Sequence, residues 1–287
     1  MKSRRKPWQK ILWEKQDYPD NYSDATFLNE LHRNENYEAP SLSLLIYSTL
    51  PVTQHFSSII IFVCLFIHLY TAYLRPTHLL LLLSLVCMPS VLRAPPLSPS
   101  PVLLVVMLYL LSPALRTLTA ATTSDSIWAL AAILFLTNAV LANYTLPNSI
   151  KEIKEHPSLK FPAPLSLSAA ISASTVLASR LEAAEQVFAF MLFSVVWFGL
   201  FPGWRRELPV RLQFGQILLG VSLMLAATYM LGRISSSSMW IYLLSFFGLT
   251  FGAPLGLMNV MKHKNEIRGP WDEAVPKMEG RSVNWQN

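Results

Sequence analysis

Three charged residues stand in stretches that hold almost no other charge: Arg116 and Asp125 in "LSPALRTLTAATTSDSIWALA", and Arg180 in "LASRL". An uncompensated arginine at the centre of a bilayer costs about 2.5 to 3.5 kcal/mol even on insertion scales, so each position needs a physical reason. One is that the long side chain snorkels to the membrane interface. The other is that Arg116 pairs with Asp125, or that Arg116 or Arg180 meets an anionic lipid head group, whose phosphate oxygens a planar guanidinium engages two at a time. Both readings stay open on the residues alone.

Metal-dependent lipid chemistry would need paired carboxylates or His and carboxylate clusters to hold phosphate through a cation. The apolar region offers only Asp125, Glu182 and Glu185 as acids, and they do not form such a set. His55 and His68 are 13 residues apart, which on a helix at about 100° per residue places them on largely opposite faces. They read as hydrogen-bonding residues of a bundle or its interface, not as joint metal ligands. A Gly-rich phosphate loop, a serine nucleophile elbow and a Cys–His pattern are all missing from the sequence. The expectation is a chain with no catalytic residues, no metal and no cofactor of its own.

The elements that position these residues follow from composition. The chain has 287 residues, 52% hydrophobic and only 14% charged, against about a quarter charged in ordinary globular proteins. Its mean hydropathy is +0.37. This implies an all-α, polytopic membrane protein. Stretches long enough for a helix to cross about 30 Å of hydrocarbon fall near 52–74, 76–92, 102–120, 125–145, 163–181, 184–201, 212–232 and 239–261, eight spans in all. The proline-dense "RAPPLSPSP" after the second cannot be helical. Ser124 or Asp125 suits the N-cap of the fourth, and Pro113 in the third frees a carbonyl one turn earlier that a neighbour must satisfy. The expected organisation is a cytoplasmic amphipathic N-terminal segment (1–51), an eight-helix domain (52–261) and a cytoplasmic tail (262–287).

An even number of spans leaves both termini on one side, and the basic residues agree with the cytoplasmic side. Nineteen of the 23 Lys and Arg fall in the two tails and the connections at 93, 146–162 and 202–211. The other side keeps only Arg75, Arg116, Arg180 and Arg233. Basic residues in this arrangement serve orientation, and the net charge of +6 is no sign of nucleic-acid binding. The sequons at Asn21 and Asn143 should then stay unglycosylated. Cys64 and Cys87 lie in apolar stretches and carry no disulfide or zinc spacing.

Two stripes of small residues mark helix packing. Ala170, Ser174 and Ala178 repeat four apart in "APLSLSAAISASTVLASRL", and Gly248, Gly252 and Gly256 do so around Pro254. Such faces let backbones approach closely inside a bundle, or receive a span of a partner.

The polar ends are patterned as well. Trp8, Ile11 and Leu12 would share a face of an interfacial helix beside Lys10 and Lys15, "DYPDNYSD" reads as a turn, and "ATFLNELHR" would resume as helix with Phe27, Leu28 and Leu31 on one side. Trp8, Trp13, Tyr22 and Phe27 are candidate partner-binding residues. So are Gly269, Pro270, Trp271, Asp272 and Glu273 in the closing "NEIRGPWDEA", where Gly-Pro would turn the chain and Trp271 would serve as an interface anchor or pack on the N-terminal tail.

The strings "WQKILWEKQDYPDNYSDATFLNEL", "LSPALRTLT..TSDSIWAL", "LASRL" and "NEIRGPWDEA", in this order, resemble the PIG-C family of phosphatidylinositol N-acetylglucosaminyltransferase subunits. The segments 93–101 and 144–161 match nothing in that signature. The resemblance implies a non-catalytic subunit of the endoplasmic-reticulum complex that moves GlcNAc from UDP-GlcNAc to phosphatidylinositol, the first step of GPI-anchor biosynthesis. It implies the catalytic PIG-A subunit, PIG-H, PIG-P and PIG-Q as partners, scaffolding as the role, and phosphatidylinositol as a candidate ligand. The competing readings are a small-molecule or lipid transporter, for which paired half-repeats with broken spans are not evident, and a stand-alone transferase, which lacks the carboxylates.

Overall fold

The computed structural model describes residues 8–9, 11, 13–19, 22, 32–33, 40–93, 99–117, 122–146, 163–212, 214–264 and 267–268. Two units make up the chain: Ser41–Gly256, and Met1–Pro40 together with Leu257–Asn287.

Eight helices occur among the described residues. They are α1 (Leu42–Tyr70), α2 (Pro76–Arg93), α3 (Pro99–Thr117), α4 (Ser124–Leu141), α5 (Pro164–Ala178), α6 (Ala184–Arg211), α7 (Gly215–Ile234) and α8 (Ser236–Met261). By length and composition α1, α4, α6, α7 and α8 could each cross a membrane, five helices where the sequence reading expects eight spans. The α5 helix has 15 residues, about 22 Å at 1.5 Å per residue, short of the hydrocarbon thickness. Outward faces such as Leu218, Leu225, Ile241 and Leu244 are exposed and apolar, a surface suited to lipid.

Several helix ends differ from expectation, and proline is the usual reason. The α1 helix starts at Leu42, well before 52, because Ser41 accepts a bond from the Leu44 N–H at 3.4 Å and Pro51 is carried inside the helix. The segment 202–211, expected as a polar connection, is the last part of α6. A π-helical turn at Val196–Leu200 precedes Pro202, and a second at Gly248–Gly252 precedes Pro254 in α8. Each wider turn absorbs the register change before a residue that cannot donate to the ladder. The N-cap of α4 is Thr123, whose hydroxyl lies 2.8 Å from that of Ser126; Asp125 sits in the first turn instead, where its charge suits the helix N-terminus.

The α1 helix is the axis of the larger unit, two-thirds buried over its most apolar stretch, against 39% or less in the other four long helices. One face carries Phe62, fully buried among Phe135, Phe190, Phe193 and Phe198 at ring distances of 4.6 to 5.8 Å. The adjacent face carries Ile61, packed with Leu223, Ala227, Tyr242 and Phe246 of α7 and α8. Ala170, Ser174 and Ala178 are fully buried, and Ser194 of α6 donates to Ser174 at 2.6 Å. The glycine stripe differs: Gly248, Gly252 and Gly256 are exposed, and a Cβ on any of them would meet only open space. The expected close packing of that face inside the bundle is therefore corrected.

In the smaller unit the expected N-terminal helix is corrected too. Trp8, Gln9, Ile11 and residues 13–19 are non-helical. The Gln9 N–H donates to Gln16 Oε1 at 2.9 Å, and Gln16 Nε2 donates back to Gln9 O at 2.6 Å, so side-chain bonds hold a loop where a helix ladder was expected. Tyr22 lies 6.2 Å from Trp8 and 4.3 Å from Tyr18, while Trp13 is exposed. An antiparallel bridge joins β1 (His32–Arg33) to β2 (Ile267–Arg268), with His32 opposite Arg268 and Arg33 opposite Ile267. Phe27, Gly269, Pro270, Trp271, Asp272 and Glu273 lie outside the described residues.

The turn from α6 into α7 leaves little room for more than a glycine. A Cβ on Gly215 would stand 3.0 Å from the Leu208 carbonyl oxygen and 3.1 Å from the Leu212 Cβ, and a backbone atom cannot give way cheaply. Gly215→Ala is expected to destabilise the detergent-solubilised chain by about 1 to 3 kcal/mol, seen as a fall in Tm. Gly252→Ala should stay within about 0.5 kcal/mol of wild type, and an unchanged Tm for Gly215→Ala would refute the steric argument.

Candidate functional site

The polar interior gathers at one end of the larger unit, where α1, the end of α4, the start of α5, the last part of α6 and the start of α7 meet. Helix geometry brings them there in sequence order: Gln54 and His55 from α1, Asn138 from α4, Asn143 and Tyr144 from the following coil, Ser166 from α5, Arg205 and Arg206 from α6, and Gln216 from α7. All of these except Asn143 and Tyr144, which are half-buried, are buried.

Asn138 organises the first half. Its Nδ2 donates to the Ser166 carbonyl at 2.8 Å and to Ser166 Oγ at 2.9 Å, while Ser166 Oγ donates back to the Asn138 carbonyl at 2.9 Å. The Ser166 carbonyl can only accept, so it fixes which way the amide faces, and Oδ1 is left to meet His55 Nε2 at 2.9 Å. That ring nitrogen must carry the proton. The ring edge of Tyr144 packs on His55 with centroids 5.8 Å apart, and the Tyr144 hydroxyl donates to the Ala139 carbonyl. Burial pushes the Tyr144 hydroxyl above its usual pKa, so it remains a donor.

The second half is cationic. Arg205 is 6% exposed and Arg206 5%. Arg205 Nη1 donates to the Pro51 carbonyl at 3.2 Å, and Arg206 Nη2 to the Asn143 carbonyl at 2.7 Å. Gln54 Nε2 donates to the Gln216 carbonyl at 2.7 Å, and Gln216 Nε2 reaches the Tyr47 carbonyl at 3.5 Å. Two adjoining clefts open beside these groups. One is bordered by His55, Asn138, Ser166, Arg205 and Arg206. The other is bordered by Pro51, Gln54, Tyr144, Arg205 and Gln216.

The sequence reading placed Arg205 and Arg206 in a solvated connection, and the structure corrects this. A signal was present: Glu207 and Arg211 stand at i and i+4, a helical pairing, and they are 2.8 Å apart. Of the charged residues that stand out in the sequence, Asp125 lies at the opposite end of α4, Arg180 just past the opposite end of α5, and Arg116 in the last turn of α3. Arg116 Nη1 donates to the Glu182 carbonyl at 3.0 Å, and Arg180 Nη2 to the Thr122 carbonyl. These bonds tie the end of α3 to the α5–α6 connection, and that connection to the start of α4. Among the described residues no ion pair joins Arg116 to Asp125. Nor do three His, Cys, Asp or Glu side chains converge as a metal site among them.

Residues 8–272 match the family described as phosphatidylinositol N-acetylglucosaminyltransferase, GPI2. The chain belongs to this family. Its relatives include the phosphatidylinositol N-acetylglucosaminyltransferase GPI2 subunit of Schizosaccharomyces pombe, 38% identical over 291 residues that cover 96% of this chain and 88% of the relative. A Homo sapiens relative, also named as a subunit of phosphatidylinositol N-acetylglucosaminyltransferase, is 28% identical, covering 94% and 93%. The GPI2 subunit of Saccharomyces cerevisiae is 28% identical, covering 95% and 98%. No solved structure matches the chain. The family match extends beyond the helices into both polar ends, as far as Asp272.

If Asn138 couples the helices, its loss and that of His55 will not add. Asn138→Ala and His55→Ala are each expected to cost about 1 to 3 kcal/mol by stranding a buried partner, and the double variant should fall short of their sum by at least about 0.5 kcal/mol. Denaturation of the solubilised chain measures all three, and strict additivity would dissolve the network.

Proposed function

We propose that the chain is a non-catalytic, multi-pass subunit of the endoplasmic-reticulum complex that transfers GlcNAc from UDP-GlcNAc to phosphatidylinositol, the first step of GPI-anchor biosynthesis. Its work is to scaffold the catalytic PIG-A subunit, together with PIG-H, PIG-P and PIG-Q, at the cytoplasmic face. The observation that carries this reading is the family match over residues 8–272, with relatives named as subunits of that transferase.

The bridge between β1 and β2 supports the topology within this reading. It pairs a segment before the first helix with one after the last, and two paired segments occupy one side of a membrane, which needs an even number of crossings. The distribution of basic residues favours the cytoplasm as that side. Asn143 fits the same orientation: its Oδ1 accepts from the Thr145 N–H at 3.0 Å and the Thr145 hydroxyl at 2.8 Å, and its carbonyl from Arg206. Neither Asn21 nor Asn143 should carry glycan, so glycosidase treatment of the protein expressed in eukaryotic cells is expected to leave its mobility unchanged. A shift would reverse the orientation.

The bridge also bears on the closing "NEIRGPWDEA". With Ile267 and Arg268 held against Arg33 and His32, the residues that follow start from a fixed point, and we place the docking surface for the PIG-A subunit there, with Trp271 as anchor. Trp271→Ala should weaken capture by about 2 kcal/mol, roughly thirty-fold in affinity, at unchanged expression and Tm. Co-purification of PIG-A with wild-type and variant chains tests this. Undiminished capture with a lowered Tm would show that Trp271 packs within its own chain.

A further inference from the structure

We propose that Arg205 and Gln216 form a binding site for the head group of a phospholipid, with Arg205 taking the phosphate and Gln216 a hydroxyl of a polyol. The proposal deepens the transferase reading, on which it relies only for the choice of lipid probe.

Arg205 is almost wholly enclosed, yet among the described residues no carboxylate pairs with it, and a single hydrogen bond, to the Pro51 carbonyl, engages its five N–H donors. A buried guanidinium held by one neutral acceptor is far short of what its desolvation demands. Both clefts border it, so an anion has a route to the remaining donors, and the planar fork suits two oxygens of a phosphate. Arg206, next in the chain, adds positive charge to the same walls.

The second cleft specifies more than an anion. Gln216 borders it, and its Oε1 is buried without a hydrogen-bond partner. Its amide nitrogen is turned to the Tyr47 carbonyl, so the oxygen is the atom that still asks for a donor. Phosphate oxygens only accept. A ligand that satisfies both Arg205 and Gln216 carries a phosphate and a hydroxyl close together, as a polyol phosphodiester does.

Depth favours a lipid over a soluble phosphate ester. The 29 residues of α1 rise about 43 Å, against about 30 Å of hydrocarbon, so a turn or two at an end extends past the acyl layer. Pro51, about two and a half turns from the start of α1, lies near that boundary, and Arg205 meets its carbonyl from the far end of α6. A phospholipid phosphate just outside the acyl layer is within reach of a guanidinium there.

The test uses the purified full chain in detergent, titrated with dioctanoyl phosphatidylinositol and read by native mass spectrometry. Dioctanoyl phosphatidylcholine, dioctanoyl phosphatidic acid and inorganic phosphate serve as comparison ligands. Wild type and Arg233→Gln, whose arginine is exposed and bonded to the Tyr73 hydroxyl, should bind phosphatidylinositol saturably and above phosphatidylcholine. Arg205→Gln should weaken binding at least tenfold, and Arg205→Lys, which keeps the charge without the fork, several-fold. Gln216→Leu should reduce the preference for phosphatidylinositol over phosphatidic acid. Binding by Arg205→Lys equal to that of wild type overturns the proposal even if Arg205→Gln does not fold. Displacement of the lipid by equimolar inorganic phosphate overturns the lipid assignment, and an unchanged head-group preference in Gln216→Leu overturns the role of that residue. The measurement needs no other protein and no transfer activity, so failure of this site and failure of the transferase reading are separate results.

Discussion

A proline inside a helix leaves the carbonyl one turn earlier without its ladder partner, and much of this bundle is arranged around such carbonyls. Pro51 frees Tyr47, and Gln216 of α7 reaches across to it. Pro113 frees Tyr109, and the neighbouring Ser112 hydroxyl donates to it at 2.8 Å. Before Pro202 and Pro254 the chain widens into a π turn. In each case the backbone remains helical because a partner or a change of register meets the requirement that backbone polar groups inside a bundle be paired.

The same requirement shapes the polar cluster. Carrying Pro51 inside α1 lets the helix begin as early as Leu42 and sets the Pro51 carbonyl, with Gln54 and His55 about a turn further on, beside the end of α6. Continuing α6 through Pro202 in turn delivers Arg205 to the Pro51 carbonyl. Two prolines that would have ended helices instead extend them until they meet. The large aromatic core around Phe62 lies further along α1, and the cluster with Tyr242 and Phe246 lies on its adjacent face. A single buried helix thus divides its length between an apolar segment that fixes packing and a polar segment available for chemistry.

How much of this the sequence discloses depends on which residues carry the information. Apolar length marks the helices well, because hydropathy is local: α2, α4 and α5 begin within a residue or so of their expected starts. Prolines mislead it. A reading that stops at Pro51 and Pro202 trims α1 and α6 at the ends that meet, so Arg205 and Arg206 pass as ordinary basic loop residues. Only the Glu207–Arg211 spacing speaks against that. The pairing of His55 with Asn138 spans 83 residues and leaves no local trace. Arg116 and Arg180 were legible as unusual, since isolated charge in an apolar run is visible by eye, but their carbonyl partners Glu182 and Thr122 are set by tertiary packing. The glycine stripe in α8 shows the reverse error: its spacing is that of a packed face, while burial of the opposite side of α8 is what the fold uses.

The bridge between β1 and β2 also imposes an order on synthesis. Its first strand precedes the helices α1 to α8 in the chain and its second follows them, so the pairing must wait while every helix between them is made. Until then His32 and Arg33 lack their backbone partners. The pairing of β1 with β2 is therefore completed only after those helices have been synthesised, and any surface that depends on it comes into being only on a chain whose helices are already made.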